Sequence, residues 1–169
     1  MAEIRIIHAV CPDEVEAVRC LFLEYAESLG WDLSGGGHLA DEVAALPGTY
    51  GPPMGALLLA YVDGQPAGVV GLQPVPETVR IAGVGAECAG ELKRLYVRPA
   101  YRRHRVGRML MERAEAEASE RGYQALVLTT SAELFPLAQG LYDALGYGPT
   151  KPYRNDMPWP RIRWMRLDL

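Results

Sequence analysis

The stretch Glu91 to Leu110, ELKRLYVRPAYRRHRVGRML, constrains this chain more than any other. Leu92, Leu95, Tyr96 and Val97 form an apolar run that opens with alternation and reads as a strand. Arg98-Pro99 ends it, because proline lacks a backbone donor and pushes the residue before it away from helical geometry. A short basic loop follows. Val106, Leu110 and Ala114 then recur at helical spacing. A strand, a basic loop with a glycine and a helix start together make an anion site, since free N–H groups at a helix N-terminus point at the ligand. Lys93, Arg94, Arg98, Arg102, Arg103, Arg105 and Arg108 fall in this stretch with no Asp or Glu between them, in a chain of net charge −4. The positive charge is local, and it sits where the helix dipole already favours an anion.

The common nucleotide loops are absent: the chain contains neither GxxxxGK[ST] nor GxGxxG. The stretch instead resembles motif A of the GNAT superfamily of N-acetyltransferases, Q/R-x-x-G-x-G/A preceded by L-Y-V-x-P-x-Y-R. Leu95 to Arg102 reproduce the lead-in, and the signature falls on Arg102, Arg103, His104, Arg105, Val106 and Gly107. Arg105 stands where the family usually has its first glycine. The expectation is that Arg105 keeps right-handed geometry, turns its side chain outward and still offers its N–H. The alternative is a loop that holds pyrophosphate less well, because glycine allows a closer approach.

The length of 169 residues suits one domain, 1–169, and an apolar content of 49% with 22% charged residues suits a soluble globular protein. Cys11, Cys20 and Cys88 are odd in number and contain no CxxC pair, which argues against a disulfide framework or a zinc site and fits a reducing cytoplasm. No apolar run approaches the roughly 20 residues that span a bilayer, and the start MAEIRIIHAV is unlike a secretory signal. The expected localisation is cytoplasmic, with no membrane and no metal.

Glu3 to Ile7 reads as a strand. Pro12 and Asp13 start a helix with the stripe Val15, Val18, Leu21, Phe22, Tyr25, closed by Gly30. Ser34 to Gly37 is a loop, and His38 to Leu46 a short helix stopped by Pro47-Gly48. Gly55–Val62 and Ala67–Pro74 are strands joined by the hairpin signal Asp63-Gly64-Gln65-Pro66. Pro76 to Gly90 is glycine-rich and weakly patterned. The helix after the basic loop ends near Gly122, and Ala125 to Thr130 reads as a buried strand. Leu134 to Leu145 reads as a helix with Leu134, Leu137, Ala138, Leu141 and Leu145 inward, stopped by Gly146. Ile162 to Leu169 closes the chain as a strand. The order β-α-α-β-β-β-α-β-α-β-β is the GNAT arrangement. The resemblance therefore implies an α/β fold: a central mixed, mostly antiparallel sheet of six to seven strands, about four flanking helices, and a V-shaped opening between strands 4 and 5.

The same resemblance implies acetyl-CoA as cosubstrate. Leu95, Tyr96 and Val97 would pair with the pantetheine arm through their backbones. Arg102, Arg103, His104, Arg105, Val106, Gly107 and Arg108 would hold the pyrophosphate, with charge-assisted side-chain contacts. Glu91 falls at a frequent general-base position, acting through a water, although a carboxylate beside Lys93 and Arg94 also reads as a buried ion-pair member. Tyr142 lies in Leu141-Tyr142-Asp143-Ala144-Leu145-Gly146-Tyr147, similar to the family's LYxxLGF, where the phenol protonates the leaving thiolate. Trp31, His38 and Tyr50 fall in the region that shapes the acceptor side, near spacing similar to a common bacterial GNAT subgroup. Arg154 lies in a tail, Lys151 to Pro158, similar to that subgroup's Y-x-N-P. Arg154, Arg161 and Arg163 are candidates for an acidic acceptor, set against a tail that is merely solvated. The implied activity is transfer of an acetyl group to a primary amine, with a small molecule as acceptor and no nucleic-acid partner. A non-catalytic acyl-CoA-binding module and a protein or peptide N-acetyltransferase are the alternatives. A basic-patch nucleic-acid binder is disfavoured by the overall negative charge and the lack of a recognisable motif. A homodimer fits the resemblance.

Overall fold

In the computed structural model, which describes residues 2–154 and 161–169, the chain runs through β1 (Ile4–His8), α1 (Pro12–Ser28), α2 (His38–Ala44), β2 (Ala56–Val62), β3 (Gln65–Pro74), β4 (Ala89–Val97), α3 (Val106–Glu120), β5 (Ala125–Ser131), α4 (Pro136–Ala144), β6 (Gly148–Pro149) and β7 (Ile162–Asp168). The strands form one sheet in the order β1-β2-β3-β4-β5-β7-β6. Every neighbouring pair is antiparallel except β4 and β5. This is the mixed, mostly antiparallel α/β sheet expected from the sequence, flanked by four α-helices.

Helices cover both faces, which explains the unbroken apolar run Ala56–Ala60 in β2. Leu58 and Ala60 pack toward α3 with Leu110, Met111 and Ala114, while Leu57 and Leu59 pack toward α1 with Val18, Leu21 and Phe22. A strand buried on both faces has no polar positions to alternate. Helix α1 starts as the sequence indicates: Pro12 takes the first turn, and the Glu14 carboxylate accepts the N–H groups of Val10 and Cys11 at 3.0 and 2.9 Å. Gly30 ends it with φ +69°, which lets the Trp31 N–H reach back to the Ala26 carbonyl at 3.0 Å.

Three local readings change. Gln65 and Pro66 belong to β3, because the turn needs only Asp63 and Gly64, both at positive φ. The second helix stops at Ala44, short of Leu46. Leu134 and Leu137 do not face inward: Leu137 is 71% exposed, because α4 begins only at Pro136 and turns Ala138, Gln139 and Tyr142 to the interior.

Two features of β4 place the site. It pairs with β5 only at Ala89–Ala125, Gly90–Leu126 and Glu91–Val127, whereas β5 pairs with β7 from Ala125 to Ser131. From Leu92 onward β4 and β5 diverge into a V. Val70 on β3 faces both Arg94 and Leu95, because the register slips between Val69–Tyr96 and Gly71–Lys93. Arg94 holds φ +60° in this bulge. The extra residue turns Lys93 and Arg94 together to the α2 side, and still returns Leu92, Leu95 and Val97 to the α3 side.

Candidate active site

The V opens into a cleft of about 720 Å³. Leu92 to Leu95 of β4 form one wall, Thr129 and Thr130 of β5 with Ala138 and Tyr142 of α4 the other, and Tyr25, Trp31, His38 and Glu42 close the far side. The basic loop follows the end of β4 and leads into α3, whose Met111 also lines the cleft. The first helical bond of α3 runs from the Met109 N–H to the Arg105 carbonyl, so the N–H groups of Val106, Gly107 and Arg108 have no acceptor within the helix. A methyl group on Gly107 would make only ordinary contacts with Leu141 and Val97. The fold therefore does not itself require glycine there, and the bare backbone at Gly107 suits close approach by a ligand.

The loop departs from expectation in its geometry. Arg105 sits at φ 66°, ψ 5°, and Arg103 at φ 65°. Both are left-handed, a conformation that disfavours side chains. Arg105 thus keeps the backbone shape a glycine would take, in place of the right-handed geometry expected, with its side chain exposed. The local charge is also smaller than the sequence count. Arg94 and Lys93 pair with Glu42, Arg98 pairs with Glu24 at 2.8 and 2.6 Å, and Arg108 with Glu112 at 3.4 Å. Arg102 donates to the Val97 carbonyl at 2.9 Å and lies over the Tyr96 ring. Arg102, Arg103 and Arg105 remain without a carboxylate partner among the described residues, and all three, with His104, are exposed.

Tyr142 is buried, with its ring 5.9 Å from that of Tyr147, and it lines the cleft beside β4 and β5. Burial pushes its phenol well above the ordinary value, so it holds its proton at neutral pH. Glu91 is placed differently from a cleft base. It is 1% exposed and does not line the cleft. One oxygen accepts from Gln73 Nε2 at 2.9 Å and from an Arg154 Nη2–H, and the other accepts the Tyr153 hydroxyl at 3.3 Å. The ion-pair reading of Glu91 matches this arrangement, with Arg154 as partner in place of Lys93 or Arg94.

Of the residues expected on the acceptor side, Trp31 and His38 line the cleft. Tyr50 does not: it is 1% exposed, packs edge-on against Phe22, and donates its hydroxyl to Glu42 Oε1 at 2.5 Å. Arg154 is no solvated tail residue. It lines the cleft with its side chain 15% exposed, whereas Arg161 is 83% exposed and Arg163 is also exposed. Asn155 to Pro158, the remainder of the Y-x-N-P-like run, lie outside the described residues.

Glu42 was missed by sequence reasoning, yet it organises this side. Arg94 grips it in a fork, Nε to Oε1 at 2.9 Å and Nη2 to Oε2 at 2.8 Å, and Lys93 Nζ adds a contact at 3.5 Å. Burial acts to raise its pKa, but the hydrogen bonds and charge of Arg94, with Lys93, hold it below the usual carboxylate value. No local signal joins residue 42 to residues 93 and 94. Thr129 and Thr130 were also missed, although polar residues ending an apolar parallel strand are a legible sign of a ligand-facing end. Tyr25 read as core. It does pack against Tyr96 and Phe135, at 6.0 and 6.2 Å between rings, and it also faces the cleft.

Among the described residues no cluster of His, Cys, Asp or Glu could hold a metal ion, and no helix is long and apolar enough to cross a membrane. The acetyltransferase (GNAT) family matches residues 21–147. An uncharacterized N-acetyltransferase of Schizosaccharomyces pombe is 33% identical over 159 residues, covering 94% of this chain and 90% of that one. A GNAT-family acetyltransferase from Staphylococcus aureus superposes with a TM-score of 0.72 at 19% identity, covering 98% of this chain and 99% of that one. A Salmonella typhimurium structure assigned as an acetyltransferase, with its cofactor acetyl-CoA, superposes with a TM-score of 0.70 at 17% identity, covering 98% and 93%. At these identities the structural likenesses carry the fold.

Proposed function

Because the chain belongs to the acetyltransferase (GNAT) family, we propose that it transfers an acetyl group from acetyl-CoA to the amine of a small acceptor within the cleft between β4 and β5. The observation that carries this reading is the divergence of β4 from β5 after Glu91, which leaves one β4 edge without a strand partner across the cleft, followed along the chain by the free N–H groups at the start of α3. An amide-bearing arm suits the first and a diphosphate the second. Leu95, Tyr96 and Val97 would hold the arm through their backbones. Val106, Gly107 and Arg108 would hold the diphosphate through their N–H groups, with Arg102, Arg103 and Arg105 adding charge. Bound acetyl-CoA supplies an acyl group already activated as a thioester. The three free cysteines suit a reducing cytoplasm.

The chain's own residues then position and protonate. The amine nitrogen bonds to the acyl carbon as the carbon–sulfur bond breaks; Tyr142 donates its phenolic proton to the departing sulfur, the acylated nitrogen releases its surplus proton to solvent to give the neutral amide, and the Tyr142 phenolate regains a proton from solvent. Both carboxylates near the cleft, Glu42 and Glu91, are occupied by cations. The acceptor amine therefore loses its proton to solvent before it attacks, and Glu91 acts as a positioning residue that fixes Arg154. In this reading kcat/KM rises with pH along the acceptor's own amine titration, and the limb moves when an acceptor of different basicity is used. A limb fixed for all acceptors and abolished in Glu91→Gln would return the base role to Glu91.

The first experiment is calorimetric titration with acetyl-CoA, free coenzyme A and ATP, followed by an amine screen that reads thiol release. Micromolar binding of acetyl-CoA and amine-dependent thiol release are expected. Failure to bind acetyl-CoA would overturn the reading.

A further inference from the structure

The acceptor end of the cleft carries an excess of positive charge and of hydrogen-bond donors. Three cations line it, Lys93, Arg94 and Arg154, against two carboxylates, Glu42 in the wall and Glu91 beneath Arg154. Arg94 occupies both oxygens of Glu42 with its fork. Lys93 is left with a single contact at the long distance of 3.5 Å, although its ammonium carries three donors. Arg154 gives one Nη2–H to Glu91, while its Nε is fully enclosed and has no hydrogen-bond partner among the described residues. Buried donors are normally satisfied, and leaving one unmade is costly. Burial lowers the pKa of Lys93, and the charges of Arg94 and Arg154 add to that effect against the pull of Glu42 and Glu91. A second cation brought here would meet uncompensated repulsion, and an anion would meet the spare donors of Lys93 beside the charge of Arg154.

We propose that the acceptor is an amine that also carries a carboxylate, an amino acid or a close relative of one, and that Lys93 and Arg154 bind that carboxylate. This rests on the acetyl-transfer reading above. It excludes polyamines and other polycationic amines, and it gives the strand bulge at Arg94 a purpose. Only by inserting a residue there can Lys93 and Arg94 share one face, so that Arg94 neutralises Glu42 and Lys93 stays available. Tyr25, Trp31 and Phe135 line the same end and offer apolar area to an acceptor side chain.

The test compares matched acceptors at saturating acetyl-CoA, reading thiol release: free amino acids, their carboxamides with the same side chains, and α,ω-diamines. The carboxamides are the weaker bases, so more of each is neutral at a given pH, and a preference for the acid cannot come from amine basicity. The expected result is tenfold or greater kcat/KM for the acids over the amides, about what one charge-assisted hydrogen bond supplies, with diamines slowest. Lys93→Gln should raise KM for the acids by more than for the amides, so that the acid-to-amide ratio of kcat/KM falls toward one. Lys93 is the better site to change, because removing Arg154 would strand Glu91 in the interior. Equal or faster turnover of amides or diamines overturns the proposal. If acetyl-CoA binds but nothing is acetylated, the same compounds are titrated into protein saturated with coenzyme A. Binding of the acids, weakened by Lys93→Gln, sustains the proposal; no binding of the acids sinks it. Absence of acetyl-CoA binding would instead refute the acetyl-transfer reading, and titration of the acids into the free protein would still report on the carboxylate site.

Discussion

Replacing Arg105 with glycine should stabilise the protein, which is unusual for a glycine placed at a helix boundary. Arg105 holds φ 66°, ψ 5° immediately before α3. A side-chain-bearing residue in the left-handed region costs about 1–2 kcal/mol relative to its right-handed alternative, and glycine avoids that cost. Against this, glycine gives the unfolded chain more freedom, worth roughly 0.4–1 kcal/mol at a compatible site. The Arg105 side chain is exposed and has no carboxylate partner among the described residues, so little else is lost. The balance is a gain of about 0.5–1 kcal/mol, or an increase in Tm of about 1–4 °C for a chain of this size. Thermal and urea unfolding of Arg105→Gly, with Arg105→Ala as control, check it. Alanine keeps the left-handed penalty, so the glycine variant should exceed the alanine variant by about 1 kcal/mol. Both lose the same charge, so both should bind acetyl-CoA somewhat more weakly and with a smaller salt dependence. A glycine variant no more stable than the alanine variant would refute the backbone argument.

Tyr142→Phe should lower kcat by about a hundredfold or more while acetyl-CoA affinity, read by calorimetry, holds; this is the usual scale for loss of a positioned general acid. Because burial raises the Tyr142 pKa, no loss of activity from its ionisation is expected through mildly alkaline pH. Glu42→Ala should destabilise by about 3 kcal/mol at neutral pH, since it leaves Arg94 and Lys93 without their counter-charge. The folded-state pKa of Glu42 is lowered from 4.5, so the wild-type advantage is complete above that value and fades as acid titrates the carboxyl through its lower folded value. Urea midpoints measured from pH 7 down to 3 should therefore converge, and a gap that widens in acid would contradict the assignment. Gly71→Ala should cost about 2 kcal/mol in the same unfolding assay, because the added methyl would clash with the edge of the Tyr50 ring, which is itself buried and held by Glu42.

Local chemistry made much of this fold legible. Asp63-Gly64 predicts its hairpin because two successive left-handed residues are what the turn demands. Gly30, Gly122 and Gly146 mark helix ends, each at positive φ. Pro99 and Gly107 bracket a loop whose place between β4 and α3 follows from the sequence. The bulge left a trace that alternation alone misreads: Leu92 and Leu95 share a face at a spacing of three, which a period-two strand allows only with one residue inserted. The pairing of Glu42 with Arg94 bridges 52 positions and leaves no local mark, because only the folded sheet brings α2 over β4. The same holds for Glu91 and Arg154, and for the left-handed loop, where a side chain occupies a geometry that glycine would ordinarily announce.

The open length of β4 also bears on solubility. A strand with one edge unpaired is a template on which another chain can add itself and begin to aggregate. Here the edge lies at the bottom of a crevice whose opposite wall is β5 and α4, and only a few residues separate the rim from the point where the two strands meet. A foreign strand would have to bring the side chains of both its faces into that crevice, whereas a slender chain with amide groups has little bulk to place there. The recess therefore screens what reaches the edge by thickness, so that a surface dangerous elsewhere on a protein can stay open without the crowded cell exploiting it.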